Sequence, residues 1–311
     1  MPGAFAHITA INLALSSDFL DDLSELPTHA KRNLVSNLPF AELGSISPDY
    51  PYLSIGMDQR NWADLMHSER VGVLVRSLIF RVKMLPDSQK EKGFAWLVGF
   101  VSHVIMDITV HPVVERRVGP YKENKQEHRI CEMNQDTYIW SRLGLDQAEL
   151  SERLKKNISL CSDQRVCDLL DDTIRSLWSI ALTEVYSGYA NACLPKINQW
   201  HASYLSIVNI PKESHDLFPL SRHIGISQGL IYPGENELDY SYINSLDTPL
   251  GKMAYDDVFD RAVSFIRYYL IKLWYAVFDG GDDQMFCNWN LDTGYNLERR
   301  ELTAWVTTPG A

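Results

Sequence analysis

The chain has 311 residues, with hydrophobic types at 45%, charged types at 22% and a formal net charge of -11. A chain of this size buries a core without disulfides. Its five cysteines, an odd number with no Cys-x-x-Cys pair, read as the reduced thiols of a cytoplasmic protein. The acidic balance argues against long nucleic acids as partners, because phosphate backbones are gripped by surplus Lys and Arg.

The first twenty residues lack the basic n-region of a signal peptide and carry His7 and Asp18. Residues 41–56, AELGSISPDYPYLSIG, crowd Gly, Ser, Pro and Asp together and predict a loop that holds Asp49. Apolar periodicity over 62–85 predicts a helix with His67 near its start. Residues 91–114 predict a second helix, apolar around most of its circumference and therefore central. It is the nearest thing to a membrane span, but His103, Asp107 and His111 interrupt it, so no transmembrane segment is expected. A connector at Gly119 and Pro120 leads to a third helix over 125–140. Helical patterns recur at 147–158 and 166–189, an irregular excursion is expected over 208–254, and an aromatic-rich helix over 256–278. The tail after Gly280 reads mostly as loop. Few segments alternate as strands and no compositional shift marks a boundary. The expected fold class is all-α, a single helical domain over 1–311, with a metal-binding core in 1–140 and helical completion in 141–311.

The chemistry concentrates in the second helix. His103, Asp107 and His111 are spaced by four, which sets them within roughly 80° of arc on one face. Three polar groups on an otherwise apolar stripe are costly to bury without partners. A divalent cation is one such partner, since imidazole and carboxylate are both good zinc ligands. Core histidines bonded to carbonyls are the alternative. His128 and Glu132, in HRICE, repeat the spacing on the third helix. Asp49, His67 and His7 are further candidates, each of which alone reads first as a turn residue or a hydrogen-bonded core residue.

Taken in order, His7, the Ser-x-x-Pro-Asp segment with Asp49, Trp62 and His67, HVIMDITVHP and HRICE resemble the zinc-dependent phospholipase C family, whose fold is shared by single-strand-specific zinc nucleases. The resemblance implies a mainly helical protein with two or three zinc ions. Asp49, His67, His103 and Asp107 would hold one, and His111, His128 and Glu132 a second. His7 would contribute to a third, with Asp107 bridging and the N-terminal amine completing it. It further implies a phosphodiester hydrolase in which zinc-bound hydroxide attacks phosphorus and Asp49 orients or deprotonates the water. The expected partner is a phosphoester substrate, either a phospholipid or a small phosphodiester. A zinc-dependent nuclease, a small-molecule phosphodiesterase and a non-catalytic, zinc-stabilised binding module stand as alternatives.

Overall fold

The most apolar stretch of the sequence becomes the axis of the fold. The computed structural model describes residues 3–54, 56–145, 147–208 and 232–307, with the backbone alone at 147, 148, 207 and 208. In chain order the α-helices are α1 (Ala4–Ala14), α2 (Ser17–Asp21), α3 (Thr28–Ser36), α4 (Leu38–Ile46), α5 (Met57–Ser68), α6 (Val71–Lys83), α7 (Asp87–Val118), α8 (Lys125–Trp140), α9 (Gln147–Ser159), α10 (Asp172–Val185), α11 (Ser187–Ala190), α12 (Ile197–Val208), α13 (Tyr255–Phe278) and α14 (Thr303–Val306). A 3-10 helix spans Ser47–Leu53. Among the described residues, one antiparallel hairpin pairs β1 (Leu246–Thr248) with β2 (Gly251–Met253).

Every residue of α7 from Gly93 to Val114 is buried. By length and composition this helix could cross a membrane, yet its apolar window is wholly enclosed by the other helices. Asp87 in its first turn and Arg116 and Arg117 in its last complement the helix dipole. Gly119, at φ 87°, ends it. Helices α1, α3, α4, α6, α8, α10, α13 and α14 all bear on α7, so early and late parts of the chain share one core.

Residues 41–56 are not the predicted loop: α4 and the 3-10 helix occupy most of the segment. Tertiary packing overrides the local turn signals there. Gly44 and Gly99 let α4 and α7 cross at near backbone contact. A Cβ on Gly44 would lie 2.1 Å from the Trp96 carbonyl, and one on Gly99 would lie 2.0 Å from that of Ala41. The helix predicted over 62–85 is two helices, broken at Arg70, which adopts a left-handed conformation at φ 52° and donates to the Val185 carbonyl. His67 consequently ends a helix rather than beginning one. The helices at 125–140, 147–158 and 256–278 appear within about a residue of expectation. Of the excursion at 208–254, residues 209–231 lie outside the described residues, and the remainder holds two 3-10 turns and the hairpin.

Candidate metal centre

Three α-helices and the 3-10 helix bring their polar side chains to one point. Helix α7 presents His103 and Asp107 one turn apart, with His111 a turn beyond. Helix α1 supplies His7 from its first turn, α5 supplies His67 from its last, and the 3-10 helix supplies Asp49. The Asp107 carboxylate is the hub. Its oxygens lie 3.2 Å from His103 Nε2, 3.3 Å from His7 Nε2, 3.6 Å from His67 Nε2 and 3.9 Å from His111 Nε2. Asp49 Oδ1 is 3.3 Å from His67 Nε2. The His7 and His103 rings stack with centroids 4.1 Å apart.

Within this cluster, two sets of ligand atoms lie close enough to share an ion: His7, Asp49 and His103, and His67, His103 and Asp107. These side chains are almost completely buried, except Asp49, which is 24% exposed and faces the outside.

Backbone carbonyls orient three of the imidazoles. His67 Nδ1 donates to Ala63 O at 2.7 Å, His103 Nδ1 to Ser45 O at 2.9 Å and His111 Nδ1 to Leu291 O at 2.5 Å. Each bond fixes the proton on Nδ1 and leaves the Nε2 lone pair aimed into the cluster, the arrangement of metal-ligating histidines. The Gly44–Gly99 crossing serves this directly, because it brings Ser45 of α4 against His103 of α7. His128 is turned the other way: Nε2 donates to Gly119 O at 2.7 Å, and Nδ1 faces Glu132 at 3.8 Å.

The chemistry of this donor set fits a cation. Both nitrogens of His7, both oxygens of Asp107, Asp49 Oδ1, His111 Nε2 and His128 Nδ1 are buried without a hydrogen-bond partner. Native interiors seldom leave so many polar atoms unsatisfied, and the cost of each is on the order of 1–3 kcal/mol. Charge follows the same logic. Burial alone would raise the carboxyl of Asp107, but His103, His111 and His7 hold it well below the usual carboxylate range. Asp49 is held down despite burial by His103 and His67. Burial lowers His67, but Asp49, Asp107 and Asp292 outweigh it and lift this imidazole to about 9. Burial depresses His7 and, more strongly, His111.

The predicted residues are thus brought together unequally. His7, Asp49, His67, His103 and Asp107 form one cluster and His111 touches its edge, whereas His128 and Glu132 pair on α8 and belong to neither close set. Sequence reasoning missed the C-terminal strap. Leu291 N–H donates to His67 O at 2.6 Å while its carbonyl accepts from His111, so one residue braces both histidines. Gly294, at φ 74°, packs where Pro112 leaves the Ile108 carbonyl without its helical donor. A Cβ there would lie 2.4 Å from Pro112 Cγ. No local pattern in the sequence signals a backbone acceptor so distant along the chain.

No individual curated protein and no solved structure matches the chain. A family model described as zinc-dependent phospholipase C matches residues 6–188, more than half of the chain. All the residues predicted as ligands fall within that span, and with the helical architecture they lead to one statement: the chain belongs to the zinc-dependent phospholipase C family, hydrolases that use zinc on phosphoester substrates.

Proposed function

We propose that the protein hydrolyses a phosphodiester, of a phospholipid or of a small molecule, at the Asp107 cluster. The observation that carries this reading is the convergence of unpartnered imidazole and carboxylate lone pairs on one buried point with a single partly exposed member, Asp49. Asp49, His67, His103 and Asp107 would hold one zinc, His111, His128 and Glu132 a second, and His7 with Asp107 a third. Zinc bound there would supply Lewis acidity, lowering the pKa of water toward about 7 and polarising the phosphoryl group. Two such ions and their three carboxylates leave a formal surplus of about one positive charge, which favours an anionic phosphoester on an otherwise acidic protein.

The chain's own residues then do the following. Asp49 accepts the proton of the attacking water through whichever oxygen is free, since a carboxylate serves as base only with an unengaged oxygen. An O–P bond forms, the opposite P–O ester bond breaks, and the proton passes to the departing alkoxide. The Nδ1–H bonds of His67, His103 and His111 hold the imidazoles still throughout. The single helical unit over 1–311 and the cytoplasmic setting belong to the same proposal. The shared core supports the first and the five free thiols support the second.

Hydrolysis of a bis-aryl phosphodiester by the zinc-loaded protein is the test. Asp49→Asn is expected to lower kcat by roughly 10²–10⁴-fold, and His111→Ala to abolish turnover. A zinc-loaded wild type without activity on aryl, lipid and nucleotide diesters would leave the non-catalytic zinc module as the better reading.

A further inference from the structure

The polar stripe of α8 continues past the pair that its spacing singles out. One turn beyond Glu132 comes Asp136, fully buried and outside both close sets of ligand atoms. Its Oδ1 accepts the Ala6 N–H at 2.8 Å, and its Oδ2 accepts the Phe5 N–H at 3.3 Å and the Tyr232 hydroxyl at 3.0 Å. Ala4 opens α1, so Phe5 and Ala6 are the second and third helical residues, whose N–H groups a side chain at the N-cap ordinarily satisfies. Here the N-cap is Gly3, which has no side chain, and a Cβ on it would lie 1.9 Å from Asp136 Oδ2. A carboxylate from another helix therefore occupies the place of a capping side chain. Phe5 meets Trp140 and Tyr232 edge-on at 5.2 and 5.4 Å, which grips the same turn on its apolar side. The next residue after Ala6 is His7, stacked on His103 and 3.3 Å from Asp107.

We propose that Asp136 is a positioning residue of the metal centre: by capping α1 from α8 it fixes where His7 meets Asp107, and so governs the zinc ion held through His7. The inference rests on the zinc reading above. Asp136 itself touches neither substrate nor reacting atoms.

Two measurements on the full chain test it: hydrogen exchange over α1 in the metal-free protein, and zinc bound per chain in a titration against a competing chelator. The variants are Asp136→Ala, Asp136→Asn and Gly3→Ala. Asp136→Ala and Gly3→Ala are expected to speed exchange in α1 and to lose about one zinc per chain, with the remaining ions at wild-type affinity. Asp136→Asn, which keeps an acceptor oxygen, is expected to restore both. Wild-type zinc number and affinity in Asp136→Ala would overturn the proposal, whether or not α1 loosens. Simultaneous loss of every ion would also overturn it, because that marks a general structural role. If Asp136→Ala does not fold, the other two variants decide by the same criteria. A wild type that takes up no zinc defeats the zinc reading itself, a result separate from any difference between variants.

Discussion

Asp107 and Asp136 are both fully buried aspartates on helices packed against each other, yet the protein holds them in opposite states. Burial penalises the charged form of each. Around Asp107 the neighbours are imidazoles, and His103, His111 and His7 hold the carboxyl far below its ordinary range. Around Asp136 the donors are the neutral N–H groups of Ala6 and Phe5 and the hydroxyl of Tyr232, with Glu132 nearby, and burial lifts the group to about 7. The difference lies in whether the surroundings can supply positive charge. The first site is built to receive a cation, and the second to receive the end of a helix.

The sharpest way to break this comparison is Asp107→Asn, which keeps the shape and removes the charge. Zinc content is expected to fall to about one ion per chain, the one assigned to His111, His128 and Glu132, because the hub of four imidazoles loses its anion. Metal analysis after gel filtration measures this, and wild-type content in the variant would contradict the role of the hub.

Next in size is a pH effect. His67 is raised to about 9 in the metal-free protein, and zinc requires it neutral. Its contribution to metal-free stability is therefore present below about pH 6.5 and lost as pH rises through 9. Zinc affinity should run the other way, rising by up to about tenfold per pH unit until pH 9 and then levelling. A flat affinity from pH 6 to 9 would show that His67 does not compete with a proton.

A smaller effect is expected at the strap. Gly294→Ala forces a Cβ against Pro112 at a left-handed φ, shifting Leu291 and with it His67 and His111. Perturbed supporting contacts of this kind typically cost about 10–100-fold in metal affinity. Competition with a chromogenic chelator would read the change, and an unaltered affinity would remove the strap from the account.

The smallest effect concerns stability alone. Because the folded value of Asp136 is raised, its contribution is present below about pH 4 and lost as pH rises through 7. Asp136→Asn should flatten that part of the pH dependence in urea unfolding of the metal-free chain. An identical slope in both proteins would mean that Asp136 titrates normally.

What the sequence discloses follows from how local each cause is. The burial of 93–114 and the stripe of His103, Asp107 and His111 are written in composition and spacing, and both are present in the structure. Helix α8 and the aromatic α13 are legible for the same reason. Helix α4 is not, because its Gly and Ser look like turn residues until a second helix presses against them. The strap at Leu291 works through backbone atoms and leaves no side-chain signature. Asp136 was readable in part, as a third member at the spacing of His128 and Glu132, but its partners are amide groups near the start of the chain.

Zinc stoichiometry of the purified chain, measured after metal is removed and then offered in excess, bears most directly on the central claim. The account predicts about two or more ions per chain, taken up with release of protons. Fewer than about one, with no proton release, would mean that the buried lone pairs around Asp107 serve some purpose other than holding metal.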